Sequence, residues 1–214
     1  MRRLLAILAL LLLAAFDAKA AAFDQASAEK FINELAPHAR YYPPQFESPA
    51  QREQMLAQLR EMLPSINAAS DLDPEDPRLL FLKAFANSMG HNLDLSGCGQ
   101  LAMRTYGELI ALRPQFRQAY YYFGGFLAGT KFFAASIPYL HSAIQLGETD
   151  AHYTLGIVYL MQKDARAAVA QLKAYLLKNP DDAIALKLVT AIENGKDPVG
   201  FQSLPLGAPL PAIK

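Results

Sequence analysis

The side chains best suited to chemistry are few and lie far apart along the chain. The four histidines, His38, His91, His141 and His152, are scattered, and none belongs to a histidine–glutamate metal motif. The sequence also contains no Gly-x-Ser-x-Gly nucleophile elbow and no phosphate-binding glycine loop. It therefore predicts that the protein is not an enzyme and holds neither a metal nor a cofactor.

Acidic pairs and a single cysteine are the remaining reactive groups. Asp71 with Asp73, and Asp181 with Asp182, precede or begin helices, where a carboxylate favours the positive end of the helix dipole. We interpret both pairs as helix caps. Cys98 is the only cysteine, so no intramolecular disulfide can form. It is interpreted as a small turn or core residue, with a bond to another chain as the alternative.

The first twenty residues have the layout of a secretory signal peptide. Arg2 and Arg3 precede an apolar run over residues 4–16, and Ala18-Lys19-Ala20 follows. The run is shorter than the roughly 20 residues that a spanning helix needs. We therefore expect cleavage after Ala20 and a periplasmic or secreted protein, with an uncleaved N-terminal anchor as the alternative.

The remaining chain is nearly neutral. Removing Arg2, Arg3, Lys19 and Asp17 from 20 basic and 20 acidic residues leaves a net charge of −2. A nucleic-acid partner is not expected, because such proteins carry an excess of basic side chains. No second apolar stretch is long enough to span a bilayer, so the mature chain is expected to have no integral membrane span.

Helical spacing of alanine, leucine, glutamine and lysine predicts an all-α protein, since alternating runs of β-branched residues are absent. One helix is expected over residues 27–38. A second should begin after the cap at Ser48 and run to about Leu63, ended by Pro64. Asp76-Pro77 predicts the start of the next helical segment.

Beyond residue 82 the chain repeats itself around three glycines. Gly90, Gly124 and Gly156 are spaced by 34 and then 32 residues. The clearest copy reads His152-x-x-Leu155-Gly156-x-x-Tyr159, then Ala168-x-x-x-Leu172 and Pro180. The other two are Tyr120-x-x-Phe123-Gly124-x-x-Leu127 with Ser136-x-x-x-Leu140 and Ala143, and Ala86-x-x-Met89-Gly90-x-x-Leu93 with Ala102-x-x-x-Tyr106 and Pro114.

These copies resemble the tetratricopeptide repeat (TPR) family. The resemblance implies a right-handed α-α superhelix of helical hairpins, with repeats over residues 83–116, 117–148 and 149–182. An N-terminal helical region, 21–76, would precede them. A closing helix over 183–195 would cover the last apolar face, and the proline-rich tail, 196–214, is expected to be extended, with Phe201, Leu204, Leu206 and Leu210 able to hold it against the body.

In this family the first helix of each repeat lines the inner surface of the superhelix, which binds protein or peptide partners. The resemblance therefore implies a scaffold or adaptor that binds a protein or peptide. Together with the predicted export, we expect it to act in an envelope complex such as assembly or secretion machinery. The basic and amide side chains that hold a terminal carboxylate in chaperone-tail binders are missing. The inner positions carried over by register are Asn87, His91 and Asp94, then Gln118, Tyr121 and Gly125, then Asp150, Tyr153, Ile157 and Leu160.

Three alternatives remain open at this point. Tyr121, Tyr153 and Ile157 could be covered by the N-terminal helices or by the tail instead of facing a partner. The same apolar surface could join copies of the chain into a homo-oligomer. An enzyme or small-ligand carrier would place its site near His91 and Asp94.

Overall fold

The computed structural model describes residues 23–195, so the predicted signal peptide and the predicted tail lie outside the described residues. Within that range the chain forms nine helices and no strand, which confirms the predicted all-α solenoid. No helix there is long and apolar enough to cross a membrane. The helices are α1 Gln25–Ala39, α2 Pro49–Leu72, α3 Pro77–Asn92, α4 Cys98–Leu112, α5 Arg117–Gly129, α6 Phe133–Gln145, α7 Ala151–Met161, α8 Ala165–Leu176 and α9 Ala183–Glu193.

Side-chain caps fix where several helices begin. The Ser48 hydroxyl accepts a hydrogen bond from the Gln51 amide at 3.1 Å, and Asp76 accepts from the first amides of α3, as the sequence predicts. Asp182 caps α9 in the same way. The interpretation of Asp71 as a cap is wrong, because Asp71 lies in the last turn of α2 and pairs with the buried ammonium of Lys83 on α3.

The predicted end of α2 at Pro64 is also wrong. The helix continues through the proline for two more turns to Leu72, although an internal proline removes one backbone hydrogen bond. The extension buries Ile66 completely and lets the Asn67 side chain accept a hydrogen bond from Asn87 at 2.8 Å. These contacts with α3 outweigh the local preference to stop.

Helices α3–α8 form three antiparallel hairpins that stack on one another, and α9 packs against α8. In the second hairpin a Cβ on Gly124 would lie 2.8 Å from Leu140 Cγ, and in the third a Cβ on Gly156 would lie 2.9 Å from Leu172 Cγ. Glycine therefore lets the paired helices approach closely. The first hairpin differs, since Gly90 faces the Cys98 sulfur and α2 instead of the equivalent large residue, Tyr106.

The connections within the three hairpins share one backbone feature. Asp94, Lys131 and Lys163 follow α3, α5 and α7 and adopt φ values of 64°, 66° and 64°. Because each hairpin turns at the same point, all three connections lie at one end of the solenoid, which we call the turn end. Helix α9 runs parallel to α7, so its last residue also lies at the turn end.

Candidate functional site

The inner face of the solenoid is formed by α3, α5 and α7, and the chain's own N-terminal segment covers part of it. Helix α1 packs on α3, and the Asn92 side chain donates a hydrogen bond to the Ala39 carbonyl at 2.9 Å. The next residues, Arg40 and Tyr41, lie against the inner face of all three first helices. Their contacts there surround a residual cavity of only about 10 Å³, too small for more than one water.

The covered part of the inner face is a tyrosine cluster with charged neighbours. The Arg40 guanidinium lies 4.5 Å from the centre of the Tyr41 ring. Burial raises the pKa of Tyr41 well above its ordinary value, and the adjacent Tyr121 raises it further. Burial also raises the pKa of Tyr121 and Tyr122, and Arg40 partly opposes both shifts. Tyr121 and Tyr122 are therefore buried neutral phenols, and the partly buried Arg40 and Tyr41 side chains cover them.

At the edge of this cluster two carboxyl groups lie close together. Burial raises the pKa of Glu148, the neighbouring Asp150 raises it further, and Arg117 opposes the shift. The Arg117 guanidinium lies 3.7 Å from the Glu148 carboxylate. Burial likewise raises the pKa of Asp150, with Arg40 opposing it. Both carboxyl groups therefore gain protons more readily in the folded protein than in the unfolded chain.

The three residues predicted to line the inner face of the first repeat do not lie together. Asn87 is 1% exposed and donates to Asn67, so it faces α2. Asp94 lies in the connection after α3, with its carboxylate 3.7 Å from Arg52. His91 is exposed at the turn end. The register counted from Gly90 is displaced because the left-handed residue of the connection, Asp94, lies four positions after Gly90, whereas Lys131 and Lys163 lie seven positions after Gly124 and Gly156.

The predicted positions of the second and third repeats are mostly covered. Tyr121 is 5% exposed and Tyr153 is 4% exposed. Tyr153 packs on Tyr175, with 5.2 Å between ring centres, and its burial, with Asp182 nearby, raises its pKa to about 12. Side chains that keep partial exposure on this face are Gln118, Asp150, Ile157 and Leu160. The alternative that the N-terminal segment covers Tyr121 is therefore the arrangement observed.

A larger open surface lies at the turn end, between the connections of the first and second hairpins. This turn-end cleft has a volume of about 620 Å³. Its floor consists of Met103 and Phe126, and its rim carries two rings that are largely exposed, Tyr42 at 58% and Phe132 at 56%. Polar groups on its wall include Gln100. The cleft is thus apolar at its base, with aromatic rings at the edge.

The His91 side chain forms part of the wall of this cleft. Its ring meets the Phe126 ring edge-on, with 5.5 Å between ring centres. A Cβ on Gly99 would lie 2.7 Å from His91 Nδ1, so glycine at that position makes room for the imidazole. Among the described residues no cluster of three histidine, cysteine or acidic side chains could hold a metal ion.

Sequence reasoning missed the rim residues of the cleft. Tyr42 lies in the link between α1 and α2, and Lys131 and Phe132 lie in the connection between α5 and α6, where no helical spacing points to individual residues. A signal was available at Phe132, because a large aromatic residue directly after a tight turn is unusual where polar residues are the rule.

Comparison with known proteins identifies the fold. No protein-family profile matches the chain, and no curated protein matches it in sequence. A crystal structure of MamA aligns with a TM-score of 0.56 and 18% identity over 71% of this chain and 86% of that chain. A second MamA structure gives 0.55 and 17% over 78% and 82%.

A third solved structure, of YrrB, is described as a TPR protein with an unusual peptide-binding site. It aligns at 15% identity over 75% of this chain and 97% of that chain, but its TM-score is only 0.39, which is too low to carry over a site. MamA is also a TPR protein. The chain therefore has the TPR fold, an all-α solenoid of helical hairpins with a C-terminal closing helix.

Proposed function

We propose that this protein is a periplasmic scaffold or adaptor that binds an extended segment of a partner protein in its turn-end cleft, within an assembly or secretion complex of the cell envelope. The observation that carries the proposal is the exposure of Tyr42 and Phe132 on the rim of a cleft of about 620 Å³. That volume lies within the range of about 300–1,000 Å³ typical of binding sites.

The cleft is a better partner site than the inner face that the repeat register predicts. Tyr121 and Tyr153 are 5% and 4% exposed, so neither ring can meet a partner without rearrangement. The cleft, in contrast, is built on helix ends and needs none. Exposed aromatic rings clustered at one place commonly mark interaction sites, and Met103 and Phe126 supply an apolar base for a partner's side chain.

The periplasmic location is supported by the signal-peptide layout of residues 1–20. Cell fractionation and N-terminal sequencing of the mature protein test it directly. A protein recovered from the periplasm and beginning at residue 21 agrees with the proposal. A protein that keeps residues 1–20 and sediments with membranes would support the uncleaved anchor instead.

The partner site is tested by crosslinking from inside living cells. A photo-reactive phenylalanine analogue at position 132 should capture a discrete partner, whereas the same analogue at Leu72 should not. Leu72 is a matched control because it is 87% exposed but lies at the end of α2, outside the cleft. Capture from both positions, or from neither, would contradict the proposal.

Self-association is a second candidate, and one observation favours it. Leu177 is 83% exposed and Leu186 is 45% exposed at the C-terminal end of the solenoid, where another copy could stack. Sedimentation analysis of the wild-type protein beside Leu177→Lys separates the two functions. A wild-type oligomer that the substitution dissolves would favour the structural module.

A further inference from the structure

We propose that the turn-end cleft is occupied by the chain's own proline-rich tail, residues 196–214. The docking itself depends on the cleft and the tail sequence, and its consequence for partners rests on the proposed function. The tail would then compete with the partner segment for the same rings.

The chemistry of the cleft suits an extended proline-rich segment. Aromatic-lined grooves bind such segments because proline rings stack on exposed aromatic faces and the extended backbone loses little entropy on binding. Tyr42 and Phe132 provide the exposed faces. Main-chain groups of an extended segment need hydrogen-bond partners, and the Gln100 side chain on the cleft wall can both donate and accept. The Thr130 hydroxyl, which donates to the backbone of α5, can accept.

The tail has the matching composition. Prolines at 205, 209 and 211 alternate with apolar side chains, in the order Leu204-Pro205-Leu206 and Pro209-Leu210-Pro211. Its charged side chains are confined to its two ends, Lys196 and Asp197 at the start and Lys214 at the end. Attraction to the cleft is therefore apolar, in agreement with a site whose base is Met103 and Phe126 and whose ionisable side chains are few.

The topology places the start of the tail at the correct end. Helix α9 ends at Glu193, at the turn end, where the cleft also lies. Helices α9, α7 and α5 are successive layers, and with about 10 Å between neighbouring axes the distance from α9 to α5 is roughly 20 Å. An extended segment advances about 3.1 Å per residue. About seven residues therefore reach the cleft, which brings Leu204 and the residues after it over the aromatic rim.

Docking of the chain's own tail is favoured over a separate copy by effective concentration. For a segment that binds with a Kd of about 10 μM, a tether that supplies about 1 mM makes the bound state about 100-fold more populated than the free state. A tail from a second copy would need a protein concentration near that value to compete.

The test uses the full-length mature chain with a fluorescent reporter in the cleft. The chain contains no tryptophan, so Phe132→Trp gives a single reporter at the rim. In the tail, Leu204→Asp, Leu206→Asp and Leu210→Asp remove the apolar contacts. A matched tail carries the same three charges at polar or small positions, through Gln202→Asp, Ser203→Asp and Ala212→Asp.

The expected result is a red shift of the reporter emission with the leucine-substituted tail and little change with the matched tail. A synthetic peptide of residues 200–214 should reverse the shift, and its apparent Kd should be about 100-fold lower for the leucine-substituted tail than for the native tail. Leu72→Trp, outside the cleft, should not respond. Circular dichroism checks that all variants remain equally helical.

Two outcomes would overturn the docking. Identical emission with all tails and no response to the peptide would mean that the cleft does not bind the tail. A shift that disappears on dilution would assign the cleft to the tail of a second copy.

Failure of the docking is distinguishable from failure of the proposed function. Crosslinking from position 132 in the chain whose three tail leucines are replaced by aspartate measures partner binding when the tail cannot fill the cleft. If the tail docks, the yield of the partner adduct should rise in that variant. An adduct of unchanged yield, with no fluorescence response, would keep the partner site and reject the tail. A fluorescence response with no adduct would keep the tail and reject the partner site.

Discussion

Replacing Gly124 by alanine should destabilise the protein, whereas the same change at its neighbour Gly125 should not. A Cβ on Gly124 would lie 2.8 Å and 2.9 Å from Leu140 Cγ and Cδ2, and 3.3 Å from the Leu140 backbone nitrogen. The backbone contact cannot be relieved by a rotamer change, so α6 must move away from α5. A Cβ on Gly125 would have no neighbour within 4 Å.

The size of the effect follows from two opposing terms. Alanine in a helix interior is favoured over glycine by about 1 kcal/mol, and overpacking a tight contact costs about 1–3 kcal/mol. With the clash at the upper end of that range, Gly124→Ala should lower the free energy of unfolding by about 2 kcal/mol, or Tm by about 4–8 °C. Gly125→Ala should raise it by about 0.5–1 kcal/mol.

Urea unfolding followed by circular dichroism measures both variants and their difference. A double variant with Leu140→Ala tests the cause. Leu140 is fully buried, and its truncation alone should cost about 2–5 kcal/mol. If the clash is with this side chain, Gly124→Ala should cost about 1 kcal/mol less in the truncated background. Equal stability of Gly124→Ala and Gly125→Ala would refute the reasoning.

Three further changes test other parts of the structure. Folding raises the pKa of Glu148 above its ordinary value of 4.5, so above that pH the folded protein keeps a proton that the unfolded chain has lost. The free energy of unfolding should therefore fall as the pH rises above 4.5. Glu148→Gln should therefore flatten that decline in urea titrations at several pH values. The buried Cys98 thiol, whose pKa burial raises, should react with a thiol reagent slowly until denaturant is added. Tyr41→Ala should uncover the inner face and destabilise the protein by about 2–4 kcal/mol, while Tyr41→Phe should cost less than half as much; equal losses would place the contribution in the hydroxyl group.

The repeat pattern predicted the second and third hairpins because its glycine and leucine positions are in contact within each of these hairpins. Gly124 and Leu140, like Gly156 and Leu172, are separated by one hairpin of nearly constant length, so the contact can be read from the spacing. The first hairpin broke that relation. Gly90 lies three positions closer to the connection than Gly124 and Gly156 do and faces Cys98, so the inner positions assigned from that glycine were displaced as well.

The N-terminal segment could not be placed from sequence for a different reason. Arg40 and Tyr41 follow α1 in an irregular link, where no periodicity indicates which side chain is buried. Their position depends on contacts with α3, α5 and α7, which are remote in sequence. Continuation of α2 through Pro64 is a similar case, since the contacts that favour it are made with α3.

The two faces of the solenoid differ in how readily they can exchange occupants. The inner face is closed by a segment whose carbonyl at Ala39 accepts a hydrogen bond from the buried Asn92 side chain, and whose Arg40 lies among buried tyrosines. Uncovering that face would break this hydrogen bond and expose the buried rings of Tyr121 and Tyr122 to water, which is unfavourable. At the turn-end cleft a ligand can dissociate at lower cost, because the rings that it would uncover, Tyr42 and Phe132, are already largely exposed in the protein alone. We therefore expect the proline-rich tail and a partner to exchange at the cleft, while the N-terminal segment stays in place as part of the fold.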